Sequence, residues 1–203
     1  MSLPKTQEFD CAFIENADNQ FEVAKILCSL ANSHGGTLYI GIKSNGKVKG
    51  VYPNDVLNQL DEMVSTCIKP SLQFTNDIIE EGLKLVVCVK IPFEPKNKYQ
   101  VKLNQKEWEF FVRINQYTIP ANKIIRRSWI DERKSTASTL ETNSELKAFL
   151  KVISINQPVS LSKLYKAANM PLDKVDKYLS TLVSLNEVVL AFDGNTIIFS
   201  VKS

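Results

Sequence analysis

The spacing of hydrophobic and polar residues predicts a helix end, a buried strand and a hairpin in close succession. Thr37–Ile42 is a short run of β-branched, aromatic and apolar residues, which is typical of a buried strand. Before it, Gly35-Gly36 can adopt positive φ, so this pair can end a helix and reverse the chain. After it, Asn45-Gly46 is a strong signal for a hairpin turn.

In the last third of the chain, the apolar residues recur with the period of an α-helix. Ser144–Ile155 carries its apolar residues on one face, and Asn143 or Ser144 can cap it. A short helix at Ser160–Ala168 and a third helix beginning at Pro171 follow, and then a hairpin, Val188–Phe192 with Thr196–Val201. With the short extended segment Gln157–Val159, this order of elements resembles the winged helix-turn-helix superfamily.

A break in composition separates this segment from the rest. Asp131–Asn143 is polar, contains no aromatic residue and is rich in Ser and Thr, which predicts a linker. The predicted organisation is a first domain at residues 1–130, a linker at 131–143 and a winged-helix domain at 144–203. The predicted fold class is α+β.

The first domain resembles the Schlafen-type, AlbA-like DNA-binding domain. In that family an Ala-Asn-x-x-Gly-Gly helix end leads into a Gly-Val or Gly-Ile strand and a Gly-rich hairpin, as Ala31–Gly36 and Gly41-Ile42 do here. The later family elements, a helix before a proline, a hairpin and a Val-Arg strand, match Asp55–Ile68, Leu83–Pro92 and Phe110–Ile114. The resemblance covers about residues 8–129, and it implies a mixed sheet with packed helices and nucleic-acid binding.

The basic residues of the chain form clusters, although the overall excess of positive charge is small. Lys and Arg number 25 against 22 Asp and Glu, a net charge of +3, which is too small to indicate nucleic-acid binding by itself. The basic residues cluster at 43–49, 96–106 and 123–127, and we expect the first two clusters to lie on hairpins of one sheet. The alternative is that these lysines protect solvated edges from aggregation. The expected nucleic-acid contacts are Lys43, Lys47, Lys49, Lys98, Lys102, Arg113, Lys174 and Lys177.

The third helix of a winged-helix module enters the major groove. Its expected outward face contains two acids and no arginine, the usual reader of guanine: Asp173, Lys174, Asp176, Lys177, Ser180, Thr181 and Ser184. This face predicts poor sequence-specific recognition of DNA bases. A role of the module in dimerisation or protein contact therefore remains an alternative.

No catalytic residue is expected. Some Schlafen proteins are ribonucleases whose acids come from a Glu-x-x-x-x-Glu-Phe-Lys stretch and from an Asp just past the Gly-Val strand. Only Glu8-Phe9 matches, whereas Leu3, Asp10 and Lys43-Ser44 occupy the other positions. Gly36–Ser44 misses the phosphate-loop pattern by one residue and is predicted to be a strand that runs into a hairpin rather than a loop that opens a helix.

Metal, cofactor and membrane roles are not indicated either. Cys11, Cys28, Cys67 and Cys88 have no close pair, and the one histidine, His34, is expected to close a helix. No apolar run approaches the roughly 20 residues needed to span a bilayer, and a cytoplasmic location is expected.

The leading functional hypothesis is a non-enzymatic nucleic-acid-binding protein, with DNA as the favoured ligand, in transcription regulation. The first alternative is a protein-interaction or assembly module whose nucleic-acid site has decayed, and the second is an ATP-binding domain. A homodimer is expected, because the aromatic strand Glu107–Ile114 offers apolar surface and pairing two copies doubles the phosphate contacts.

Overall fold

The computed structural model describes residues 3–104, 106–132 and 143–202. By the contacts between its residues, the chain divides into two compact units, Met1–Pro120 and Ala121–Ser203. Both helices and strands occur in each unit, so the predicted α+β class is confirmed.

The first sheet of the first unit surrounds the predicted buried strand. Its order is β1-β2-β5-β4, with β1 at Cys11–Ile14, β2 at Gly36–Ile40, β4 at Thr75–Glu81 and β5 at Lys84–Ile91. β1 is parallel to β2, while β5 is antiparallel to both β2 and β4. The position of β2 inside the sheet explains its apolar sequence, because both of its edges are hydrogen-bonded.

A second sheet of the same unit has the order β3-β6-β7-β8. Its strands are β3 at Ile68–Lys69, β6 at Gln100–Lys102, β7 at Trp108–Ile114 and β8 at Tyr117–Pro120. Every neighbouring pair in it is antiparallel. The predicted strand Phe110–Ile114 therefore lies inside a sheet, between β6 and β8.

Helices α1, Gln20–Ser33, and α2, Pro53–Cys67, pack with these sheets around the main core. The side chain of Asn19 caps α1 by accepting a hydrogen bond from the backbone N–H of Glu22. Leu27 and Leu30 of α1 are fully buried. Pro53 begins α2, where its missing N–H costs no helical hydrogen bond.

The second unit has its own core. Its helices are α3 at Lys123–Asp131, α4 at Ser144–Asn156, α5 at Leu161–Ala167 and α6 at Leu172–Ser184. Its strands are β9 at Val159–Ser160, β10 at Val188–Phe192 and β11 at Ile197–Val201. They form one sheet with the order β10-β11-β9. The predicted helices and hairpin are present within a few residues of their expected bounds. Asn143 caps α4, as predicted, by accepting from the N–H of Leu146.

Helix α3 packs within the second unit, whereas the sequence interpretation put residues up to 130 in the first domain. Ile124 of α3 is fully buried in the second core, because it continues the apolar surface of α6. Residues 133–142 of the predicted linker lie outside the described residues.

No helix within the described ranges is long and apolar enough to cross a membrane.

Candidate nucleic-acid interface

The hairpin after β2 differs in detail from its prediction. Ile42 and Val48 form an antiparallel bridge, and the N–H of Lys43 donates to the carbonyl of Lys47 at 2.9 Å. The turn closes one residue earlier than an Asn-Gly two-residue turn, because the N–H of Gly46 donates to the carbonyl of Lys43. Gly46 has φ +80°, and a Cβ there would lie 2.5 Å from the carbonyl oxygen of Lys5, so glycine is needed for both reasons.

This hairpin brings five lysines into one region, which we call the lysine hairpin: Lys5, Lys43, Lys47, Lys49 and Lys84. Lys43, Lys47 and Lys49 are exposed, and Lys49 lies 3.4 Å from a carboxylate oxygen of Glu15. Lys84 arrives from β5 and donates to the carbonyl of Val48 at 2.7 Å. Sequence reasoning missed Lys5 and Lys84, because only tertiary contacts bring them to the hairpin.

Lys98 and Lys102 lie at the second sheet, whereas the lysine hairpin follows β2 of the first sheet. Lys102 lies in β6, and Lys98 precedes that strand with its ammonium 5.7 Å from the centre of the Phe93 ring. The expectation that the first two lysine clusters occupy hairpins of one sheet is therefore wrong. The strands between the two lysine clusters in the chain are divided between the two sheets, since β4 and β5 lie in the first sheet and β3 lies in the second.

Arg113 is not on the surface. It is only 5% exposed, and its guanidinium donates to the carbonyls of Glu8 and Cys11 at 3.1 and 2.9 Å and to the Thr118 hydroxyl at 3.2 Å. Burial lowers the pKa of this guanidinium. Since its donors already join β7 to the residues at the start of β1, Arg113 stabilises the fold, and its burial does not support the expected contact with nucleic acid.

The expected outward face of α6 is covered at three of its seven residues. Asp176, Ser180 and Thr181 are buried, because α3 packs on this side of α6. Asp176 forms an ion pair with Lys123 of α3, and the Ser180 hydroxyl donates to Asp131 of α3 at 2.7 Å. The expectation that these three residues face outward is wrong, since it was made without α3.

The two lysines predicted on α6 have different environments. Lys174 is paired with Glu145 of α4 at 2.8 Å and lies 5.6 Å from the centre of the Tyr178 ring. Lys177 is exposed. Hydrogen bonding to Glu145 raises the pKa of Lys174. Both lysines belong to the second unit, whereas the lysine hairpin belongs to the first.

Glu8 and Asp10, which occupy positions of the ribonuclease motif, line an open cavity of about 410 Å³ in the first unit, together with Lys5, Thr37 and Tyr39. Glu8 and Asp10 are both exposed. Across the described ranges, no group of three or more His, Cys, Asp or Glu is placed to hold a metal ion. Gly36–Ile40 is a strand and continues into the lysine hairpin, as predicted for the segment that resembles a phosphate loop.

The Schlafen, AlbA_2 family matches residues 5–122, more than half of the chain. No curated protein matches. Among solved structures, the N-terminal domain of an ATP-dependent DNA helicase RecG-related protein from Nitrosomonas europaea is 20% identical, with 41% of this chain and 61% of that one covered and a TM-score of 0.32.

The DIP2311 protein from Corynebacterium diphtheriae is 13% identical, with 93% of this chain and 34% of that one covered and a TM-score of 0.48. The chain thus spans less than two thirds of the length of either structure. The family match includes β1 to β8, the lysine hairpin and the Gly35-Gly36 turn, so the resemblance drawn from the sequence is confirmed for the first unit: the chain belongs to the Schlafen, AlbA_2 family.

Proposed function

We propose that this protein binds nucleic acid, with DNA as its ligand, and does so without catalysing a reaction. The observation that carries the proposal is the lysine hairpin. Three exposed lysines lie within seven residues there, and two more arrive from the N-terminal segment and from β5. Lysines grouped in this way can neutralise neighbouring phosphates, whereas isolated surface lysines bind them weakly.

The local grouping matters because the first unit has no basic excess. Residues 1–120 contain 13 Lys and Arg against 14 Asp and Glu. Attraction of a polyanion by this unit must therefore come from a patch and not from the overall charge. The lysine hairpin is such a patch, and its backbone is fixed by the contacts of Gly46 with Lys5 and of Lys84 with Val48.

A salt titration of binding to duplex DNA tests the proposal. If each of Lys43, Lys47 and Lys49 neutralises one phosphate, each Lys→Ala change lowers the slope of log affinity against log salt by about 0.9. Lys25→Ala is the matched control, since Lys25 lies on α1, outside the lysine hairpin, and is paired with Glu22. Single-stranded DNA and structured RNA measured alongside identify the preferred ligand.

An unchanged slope in all three hairpin variants, or no binding at low salt, contradicts the proposal. Lys174→Ala and Lys177→Ala serve as a second comparison. They are expected to leave the slope within about 0.3 of the original protein, because we assign duplex binding to the first unit.

For the second unit we propose a winged-helix module that acts in assembly, within a homodimeric transcription regulator. The covered face of α6 supports this assignment, because α3 occupies the side that a recognition helix needs for the major groove. The aromatic strand β7 no longer supports dimerisation, since its residues are buried or half-buried inside the second sheet. Exposed Ile155, Leu172 and Val189 of the second unit provide apolar surface instead.

Sedimentation at micromolar concentration measures the assembly directly. A dimer is expected, and Leu172→Ser is expected to weaken it. A monomer that still binds duplex DNA with the expected salt dependence rejects the dimer and leaves the proposal of DNA binding in place.

A further inference from the structure

Three aromatic side chains form a surface cluster in the first unit, which we call the aromatic patch: Phe9, His34 and Phe93. Phe9 is 50% exposed and Phe93 is 43% exposed. The His34 ring lies 6.0 Å from the Phe9 ring and 6.3 Å from the Phe93 ring, measured between centroids. Two large apolar rings are thus held half in water around an exposed histidine.

The glycine turn after α1 builds this patch. His34 is the C-cap of α1, and its N–H donates to the carbonyl of Leu30. Gly35 follows with φ +73°, and a Cβ there would lie 2.7 Å from the carbonyl oxygen of Ile91 and 2.9 Å from the nitrogen of Phe93. Glycine therefore allows the end of β5 to pack against the helix end, which brings Phe93 beside His34.

The aromatic patch adjoins positive charge. The ammonium of Lys98 lies 5.7 Å from the centre of the Phe93 ring. On the other side, Phe9 lies between Glu8 and Asp10, which line the same cavity as Lys5. Since Lys5 also contacts Gly46, the N-terminal segment connects the aromatic patch to the lysine hairpin.

We propose that the aromatic patch binds the unpaired bases of a single-stranded nucleic acid. This inference rests on the proposed function and names the form of its ligand. Bases stack on exposed aromatic rings without regard to sequence, while neighbouring lysines hold the phosphates. Glu8 and Asp10 repel phosphate, so neutral bases lie over Phe9, and the phosphates lie toward Lys98 and the lysine hairpin.

A protein partner fits this patch less well. A fully buried aromatic residue contributes about 150–250 Å², so two half-exposed phenylalanines offer roughly 200 Å². A standard interface needs about 800 Å² from each partner. The patch is small for a protein and has the size and the neighbouring cations suited to one or two bases.

The probe for the test is a fluorescently labelled oligothymidine of 12 nucleotides, with anisotropy as the readout. We expect Phe9→Ala and Phe93→Ala each to weaken its binding about tenfold, equivalent to about 1.4 kcal/mol. The slope against salt should stay unchanged, because no phosphate contact is removed. Phe93→Trp, which keeps a ring, should retain the affinity.

Phe21→Ala is the matched control. Phe21 is also a phenylalanine, is 46% exposed and lies at the opposite end of α1, about 20 Å away at 1.5 Å per residue. This variant should bind oligothymidine as the original protein does. Binding of a fully paired duplex should be equal in all these proteins, because paired bases cannot reach the rings.

Distinct results separate the two proposals. If Phe9→Ala and Phe93→Ala bind oligothymidine normally while the lysine variants bind it weakly, the aromatic proposal is overturned and nucleic-acid binding stands. If the phenylalanine variants change only self-association, the patch is a protein contact and the proposal is again overturned. If the original protein binds neither single strands nor duplex at low salt, both proposals fail together.

Discussion

The side-chain amide of Asn32 makes hydrogen bonds to both backbone polar groups of Tyr99. Its Oδ1 accepts from the Tyr99 N–H at 2.7 Å, and its Nδ2 donates to the Tyr99 carbonyl at 2.8 Å and to the Phe111 carbonyl at 2.8 Å. Asn32 is only 3% exposed. One side chain thus ties the last turn of α1 to the second sheet, and it sits shortly before the Gly35-Gly36 turn.

We expect Asn32→Ala to lower the free energy of unfolding by about 3 kcal/mol or more. It removes three hydrogen bonds, and a buried polar group left without a partner costs about 1–3 kcal/mol. Urea unfolding followed by circular dichroism measures the loss. Asn54→Ala, at an exposed position on α2, is the control and should change stability by less than about 0.5 kcal/mol.

Asn32→Asp separates hydrogen bonding from packing. Aspartate has nearly the same shape but cannot donate to the two carbonyls, so it should be at least as destabilising as alanine. If the Asn32→Asp protein were as stable as the original, the amide hydrogen bonds would contribute little to the fold.

Arg113→Met is expected to destabilise the fold by about 3 kcal/mol and to leave the salt slope of DNA binding unchanged. Methionine fills much of the same volume but cannot donate to the carbonyls of Glu8 and Cys11, which keep only the backbone hydrogen bonds that these two residues make to each other. Urea unfolding gives the first quantity, and the salt titration gives the second. A flatter salt slope in a stable Arg113→Met protein would show that Arg113 contacts nucleic acid after all.

Local sequence signals predicted most of the individual elements. Asn143 caps α4, the apolar period of Ser144–Ile155 becomes a helix, and the run Thr37–Ile42 contains most of β2. These signals act within a few residues, because capping, helical period and strand propensity are properties of neighbouring side chains. They also sufficed to recognise the family of the first unit, whose motif is a contiguous helix end and glycine turn.

Contacts between residues far apart in the chain could not be predicted from the sequence. No local signal indicates that Asn32 binds residues 67 and 79 positions away in the chain. Arg113 is among the expected nucleic-acid contacts, but it is buried and donates to the carbonyls of Glu8 and Cys11. The aromatic patch was also missed, since its members come from three separate parts of the chain.

The purified protein is expected to show no cleavage of tRNA-like RNA and no release of phosphate from ATP in magnesium or manganese. Glu8 and Asp10 alone supply too few oxygen ligands for a divalent ion that activates water. Gel assays for RNA and a phosphate assay for ATP give the readouts. Cleavage that Glu8→Ala abolishes would show that the cavity beside β1 is catalytic after all.

The fold is expected to lose stability as the pH rises from 8 to 10, because it buries thiols. Burial, with a smaller effect of Asp77, raises the pKa of Cys88 from 9.0 to about 11, and burial does the same for Cys11. Between these values the unfolded chain loses thiol protons that the native protein keeps, so stability is present below pH 9 and falls above it.

Each of these thiols should account for about 1 kcal/mol of the loss between pH 8 and pH 10, since one pKa unit corresponds to about 1.4 kcal/mol. Urea unfolding at the two pH values measures the difference, and Cys88→Ala should reduce it by about 1 kcal/mol. Val86→Ala is the control, because Val86 is fully buried in the same cluster on β5 and does not titrate. It should lower stability equally at both pH values, and an equal pH dependence in Cys88→Ala and Val86→Ala would exclude the buried thiol as the cause.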